Sequence, residues 1–401
     1  MPNSPFHAEA TALFPELVRL RRDFHRHPEV GFQERRTAAI IARALQEYGL
    51  VVRQGVGETG VVGLLEGARP GPTVLLRFDM DALPIQEENE VDYASQNEGV
   101  MHACGHDGHM AMGLALVRLF AHRREQMAGR LKFIFQPGEE GRGGALAMIA
   151  DGVLDNPRAD VAFAMHLWNT LPLGRVRVIE GPCMAASSTF TLTIKGKGGH
   201  GAAPHQSIDP VLAGAHIVAG MQSIVSRSVD PLESVVVTVG QFTAGTTFNV
   251  IPDQAILKGT VRSYEHEMHH MVYRRILEMA QYMAAAFRCT AHMETIAIVP
   301  AVVNAPEPTA IVRAAAASLV GTANVVGGRS MASEDMGLFL EEIPGCYFFV
   351  GSMNEEQGYH YPHHHPRFDF DERAMITGVA TMAAAAAAYV LAENPEIFPE
   401  A

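Results

Sequence analysis

The middle of the chain constrains the fold most. Residues 189–195 alternate as a strand, 210–226 carry a helical period, 234–239 and 255–262 alternate as paired strands, 267–287 form a long helix and 290–299 a last strand. The order βαββαβ is the pattern of a two-layer ferredoxin-like domain. The flanking stretches follow another rule. Residues 73–78 and 131–135 are short apolar runs that stop at acidic or Pro-Gly signals, with a helical segment, 110–122, between them, and 347–350 reads as a further buried strand. Strands alternating with helices imply a mostly parallel sheet covered on both faces. The expected fold is therefore α/β: a mostly parallel sheet domain covered by helices, residues 1–185 and 299–401, with a ferredoxin-like βαββαβ domain inserted at 186–298. A length of 401 residues agrees with two cores, since single cores stop growing near roughly 250–300 residues.

Two helices are expected before the first strand, over 8–27 and over 37–48 with a stop at Gly49. Arg21, Arg22 and Arg26 on the first read as a solvated face. The chain carries 31 Lys and Arg against 44 Asp and Glu, and no dense basic stretch interrupts that acidic background, which excludes nucleic acid as a partner. Cys104, Cys183, Cys289 and Cys346 show no paired spacing, so a reducing compartment, the cytoplasm, is expected. Glu9, Glu16 and the lack of a long apolar run before Arg19 do not match a signal peptide. Residues 374–392 are uncharged and long enough to span a bilayer, yet alanine dominates them. Alanine gains little from lipid, so the segment reads as a buried helix and no membrane contact is expected.

The densest chemistry lies in Met101-His102-Ala103-Cys104-Gly105-His106-Asp107-Gly108-His109. Cys and His are ligands for first-row metals, and the glycines let the backbone wrap so that Cys104 and His106 point to one centre. Three further places follow expected strands: Gly138-Glu139-Glu140-Gly141, Met165-His166-Leu167-Trp168, and the run His363-His364-His365. Sites in open α/β sheets form at C-terminal strand ends, where distant ligands converge. Metal hydrolysis needs one carboxylate to hold metal and another to take a proton from water; Glu139 and Glu140 offer that division, without saying which is which. Asp79 and Asp81 stand two apart at a strand end, suited to be ligands or to orient a ligating His.

Gly196-Lys197-Gly198-Gly199-His200-Gly201 matches GxGxxG formally, but residues 202–209 with Pro204 separate it from the next helix, which argues against dinucleotide binding. Those glycines instead present His200 on a turn, where an imidazole can donate to the oxyanion of an attacked amide. Asn249 and Arg262 then suit a substrate carboxylate.

Together these residues resemble the M20 metallopeptidase family, in particular its amidohydrolase subgroup, which includes hippurate hydrolases, aminoacylase-like enzymes and plant auxin-conjugate hydrolases. The resemblance spans almost the whole chain. It runs through His25-Arg26-His27-Pro28-Glu29, Asp79-Met80-Asp81-Ala82-Leu83-Pro84, the segment 101–107, Gln136-Pro137-Gly138-Glu139-Glu140, Gly198-Gly199-His200-Gly201, Asn249-Val250-Ile251-Pro252, Ser333-Glu334-Asp335 and His364-His365-Pro366. It implies that Cys104, His106, Glu140, His166 and His364 hold two divalent metal ions, zinc, manganese, cobalt or nickel. It also implies Glu139 as general base, His200 as oxyanion donor, Asp81 in the catalytic group and a homodimer formed through the inserted lid domain. His364 stands two before Pro366, as the subgroup's ligand stands before its proline. In the wider family a His usually occupies the place of Asp79 and a bridging aspartate that of His106. Following the subgroup at both places points to N-acyl amino acid hydrolysis over its rivals, a metallo-dipeptidase or carboxypeptidase with the same site, or a non-enzymatic metal-binding dimerisation protein.

Overall fold

The computed structural model describes residues 5–391, and for 296–298 the backbone alone. It divides into two compact units: one takes the chain up to Gly181, Val303–Gly328 and the chain from Leu338, the other Pro182–Val302 and Arg329–Gly337.

The first unit is built on an eight-stranded sheet. β1 (Val51–Val56), β2 (Gly60–Glu66), β3 (Arg69–Asp79), β4 (Ala128–Gln136) and β5 (Val161–Pro172) lie in the order β1-β2-β4-β3-β5, followed by Gly345–Met353, Val176–Arg177 and Val325–Val326. The central strands β4, β3, β5 and Gly345–Met353 run parallel. The β1–β2 hairpin joins β4 antiparallel at one edge. Val74, Leu75, Leu76 and Phe78 of β3 are all buried, the continuous apolar run of a strand covered on both faces.

Helices α1 (Pro5–Ala12), α2 (Phe14–Arg26), α3 (Arg35–Glu47) and α4 (His106–Ala121) contribute to those covers. The expected single helix 8–27 is two. Pro15, in the first turn of α2, has no N–H to give and its ring would clash with the preceding turn, so the helix restarts after Leu13.

The alanine-rich helix Ala374–Val390 packs on α1, α4 and Pro306–Val320; Ala392, where the uncharged run ends, lies outside the described residues. Small side chains serve close approach here, since a Cβ on Gly378 would meet the Met112 sulfur at 2.5 Å. Among the described residues no helix is long and apolar enough to cross a membrane.

In the second unit the strands order as Val235–Ala244, Gln254–Ser263, Ala186–Lys195, Thr290–Val299, all antiparallel, and the helices Pro210–Ser223 and His266–Ala286 pack on them. This is the ferredoxin-like arrangement. Phe190, Leu192 and Ile194 alternate into its core against Ile217, Met221 and Ile276. Val235–Ala244 is an edge strand that leaves Val236 and Phe242 exposed.

One expectation fails in the first unit. Arg21 does not lie on a solvated face: it is fully buried, with Nε donating to Asp107 and one terminal nitrogen to Asp369, both at 2.7 Å. Arg22 is only partly exposed and pairs with Glu372 at 2.9 Å. The anions that draw Arg21 inward come from segments distant in sequence, so helical periodicity could not reveal them. Arg21→Met leaves two buried carboxylates without their cation, and we expect it to lower unfolding free energy by about 3–5 kcal/mol. Urea denaturation checks this; a loss below about 1 kcal/mol would show the network to be dispensable.

Candidate metal centre

The parallel strands of the first unit deliver their side chains at their C-terminal ends. β3 ends at Asp79 and leads to Asp81, β4 ends at Gln136 and leads to Glu139 and Glu140, and β5 carries His166. Between Cys104 and His106 the chain turns through Gly105, whose φ of 91° is a left-handed conformation that a side chain would strain. Helix α4 begins immediately after, which puts His106 in its first turn.

These residues converge. Cys104 Sγ lies 3.4 Å from His166 Nε2, and His364 Nε2 lies 3.1 Å from Glu140 Oε1. The donor atoms of Cys104, His106 and His166 are all within 4.8 Å of one another, as are those of Cys104, Glu140 and His364, and those of His106, Glu139 and Glu140.

The imidazoles are set for coordination. His106 Nδ1 is 2.8 Å from the Asp81 carbonyl and His166 Nδ1 is 2.6 Å from the Leu167 carbonyl. A carbonyl can only accept, so each Nδ1 bears a proton and Nε2 is the atom left to bind a metal. His106 Nε2 is buried without a hydrogen-bond partner, a cost that coordination to a cation removes. The Cys104 thiol is pushed well above its usual range by burial and by Glu140, Glu139 and Asp79, so its ionisation requires positive charge in the cluster. The donor set fits divalent metal ions.

Of the His run, only His364 joins the cluster. Its φ of 65° and its N–H bond to the Ala103 carbonyl, 2.8 Å, accompany a ring placed at Glu140. His363 donates through Nε2 to the Leu167 carbonyl at 2.9 Å, and His365 stacks on Tyr361 with centroids 4.6 Å apart.

Asp79 and Asp81 both face His106. Asp81 Oδ2 accepts the Glu140 N–H at 3.0 Å while Oδ1 stands 3.4 Å from His106 Nδ1, so this carboxylate orients two members of the cluster. Asp79 Oδ1 lies 3.8 Å from His106 Nε2. Burial opposes its ionisation, but His106, His109 and Arg77 hold it well below the usual carboxylate range.

The second unit places its expected residues as follows. His200 lies in a two-residue ladder opposite Val250, next to Asn249, whose carbonyl accepts the Gly201 N–H at 2.8 Å. The Ala202 N–H donates to Nδ1 of the exposed His200 at 3.0 Å, so Nε2 carries the ring proton and is a donor there. Arg262, on the strand Gln254–Ser263, donates to the Met331 carbonyl at 2.8 Å.

Against this geometry the likeness to known proteins is specific. The model of peptidase family M20/M25/M40 matches residues 75–388. The chain belongs to that family. It is 39% identical to an N-acetylcysteine deacetylase of Bacillus subtilis over 366 residues, 91% of this chain and 94% of the relative. It is 37% identical to thermostable carboxypeptidase 2 of Saccharolobus solfataricus over 369 residues, 90% and 92% of the two chains. Among solved structures, the YXEP protein of Bacillus subtilis, described as a dinuclear metal binding peptidase from the M20 family, superposes with a TM-score of 0.81 at 34% identity over 94% of this chain and 98% of that one. Within the M20 family the chain falls in the amidohydrolase subgroup, and its grouped donors support the binding of metal ions.

Several residues that the sequence motifs contain or adjoin take roles here that the sequence did not assign. His109 donates from Nδ1 to Asp79 at 2.6 Å and accepts the Leu167 N–H on Nε2 at 3.0 Å; with both nitrogens engaged it bolts α4 to β3 and β5. Arg77 grips the other Asp79 oxygen at 2.6 Å and Gln136 at 2.9 Å. Its place two residues before Asp79, on the same face of a strand, was the available signal. Behind the cluster, His25 bonds Asp107 at 2.8 Å and Glu87 at 3.1 Å. Burial and Arg21 lower its proton affinity, but the hydrogen bonds to the two carboxylates prevail and raise its pKa to about 9.

Folded His25 therefore binds its proton more tightly than the unfolded chain, whose His titrates near 6.5. The resulting stability is complete below pH 6.5 and is lost as pH rises through 9, a decline on the order of 2–3 kcal/mol. Urea unfolding at pH 6.5 and 9.5 tests this. His25→Gln should flatten the decline, and an unchanged slope in that variant would assign it to other groups.

Proposed function

We propose that this chain hydrolyses the amide bond of N-acyl amino acids, yielding a carboxylic acid and a free amino acid. Two divalent ions, zinc, manganese, cobalt or nickel, would be held by Cys104, His106, Glu140, His166 and His364. The observation that carries this reading is the closure of these donors, drawn from distant parts of the chain, into mutual 4.8 Å groups around imidazoles of the ligating tautomer. Such ions, when bound, polarise the scissile carbonyl and make water acidic enough to deprotonate near neutrality.

The chain's own groups would perform the rest. Glu139, half-buried and grouped with His106 and Glu140, takes the water proton as the oxygen attacks the carbonyl carbon, then returns it to the leaving nitrogen as the C–N bond breaks. Asp81 keeps Glu140 and His106 aligned through these steps. For His200 the support is its Nε2–H donor, suited to an oxyanion. Asn249 and Arg262 would hold the substrate carboxylate; the support is the chemistry of an amide and a guanidinium, which donate to such a group.

Four further readings belong with this one. The partner is a small molecule, neither nucleic acid nor membrane, consistent with a net charge of −13. The exposed edge strand Val235–Ala244 of the lid supports a homodimer. The four buried cysteines, none of them in a disulfide, support the cytoplasm. A carboxypeptidase reading is favoured by the relatives of that name.

Glu139→Gln should retain bound metal and lose about 10²–10⁴ in kcat; an active variant would sink the assignment of the base. Cys104→Ser should weaken metal retention in dialysis against chelator, with activity recovered at high metal. Amino-acid release from a panel of N-acyl amino acids and dipeptides, after chelator stripping and resupply of single metals, separates the two substrate readings. Restored release from acyl amino acids but not dipeptides is the expected outcome.

A further inference from the structure

The first turn of the long helix His266–Ala286 in the second unit reads His266-Glu267-Met268-His269-His270. The spacing is that of H-E-x-x-H, in which two imidazoles four residues apart share one helix face and can bind one metal ion. The two outer rings meet that description here. His266 Nε2 and His270 Nε2 are 3.0 Å apart, with ring centroids 4.4 Å apart and planes at 73°. Both side chains are exposed to solvent and to any ion in it.

His269 does not take part, and it explains why the other two are held. It is buried, with Nε2 2.5 Å from the Ser188 hydroxyl and Nδ1 2.9 Å from the Ser263 hydroxyl. Both of its nitrogens are engaged with the sheet, which pins this turn and turns His266 and His270 outward. The two rings therefore lose little conformational freedom on binding, the condition under which a pair of weak ligands becomes a chelate.

We propose that His266 and His270 form a metal site separate from the catalytic cluster, which takes a divalent copper or nickel ion. Metal–nitrogen bonds of about 2.0–2.1 Å put cis ligands about 2.9 Å apart at a right angle and about 3.3 Å apart at the tetrahedral angle. The observed 3.0 Å lies near the right angle, the geometry of tetragonal copper(II) and nickel(II), and copper stands highest in affinity for nitrogen donors. Among the described residues no third His, Cys, Asp or Glu joins the pair, so water would complete the coordination and the site is not a second hydrolytic centre of the zinc-protease kind. Glu265 and Glu267, at and just inside the helix start, offset the repulsion between a cation and the positive end of the helix dipole. Binding exchanges one hydrogen bond for two metal–nitrogen bonds: the ring that donates from Nε2 shifts its proton to Nδ1, and no proton need leave.

The test uses the whole protein with its catalytic cluster first saturated with zinc and loose metal removed. Copper(II) is then titrated in, with bound copper and zinc counted by elemental analysis and the copper environment read by electron paramagnetic resonance. We expect one copper per chain to bind while all zinc is retained, with nitrogen hyperfine structure in the spectrum. His266→Gln and His270→Gln should each weaken that binding about 10²-fold and leave amide hydrolysis at the wild-type rate. Both positions are exposed, and circular dichroism verifies that the variants fold. Copper binding of equal strength in both variants, or none without loss of zinc in the wild type, would overturn the proposal. Neither result would touch the hydrolytic reading, whose carrying observation is the donor cluster of the other unit.

Discussion

Asp79 lies at the point where the layers of the first unit meet, and the order of the metal centre follows from how its charge is compensated. One oxygen is held by Arg77 of its own strand, which also grips Gln136 on β4; the other is held by His109 of α4, whose remaining nitrogen accepts a main-chain N–H of β5. A single buried carboxylate thus ties three neighbouring strands to the helix that begins with His106. An unpaired charge at that depth would cost several kcal/mol, so register and helix position are not free to drift without breaking these bonds.

The same economy extends outward. Main-chain carbonyls of Asp81 and Leu167 hold the proton-bearing nitrogens of His106 and His166, so backbone geometry, set by strand ends, decides where the ring lone pairs point. Behind them, Asp107 receives Arg21 and His25, which ties α2 to the first turn of α4. The centre concentrates a thiol and several carboxylates in a buried volume, and the charges repel until a cation is shared among them. This raises the Cys104 thiol, and it makes the cluster a trap for metal ions more than a set of independent acids.

The two units divide the physical work. The first places the thiol, imidazoles and carboxylates of the cluster at and beyond buried strand ends, where small errors in position are resisted by packing. The second is an antiparallel sheet with its helices packed on it and an edge strand left open, and it carries His200 on a short ladder outside its core. A group on such a turn is less restrained than one on a buried strand.

Period and spacing in the sequence determined the class of the fold, the βαββαβ unit inside an α/β unit, because alternation and helical repeats are local consequences of which face is buried. They also marked residues 101–109 and Glu139 and Glu140 as candidates for a metal site, and the fold brings Cys104, His106, Glu139 and Glu140 into groups that could hold an ion. Tertiary structure supplied the backbone that brings His364, the member of 363–365 to which the family motif already pointed, to Glu140. It alone decided that Arg21 is buried and that His109 and Arg77 hold Asp79. Those partners are brought together by strand pairing and helix packing across the fold, and a pairwise contact of that kind leaves no period in the sequence to read.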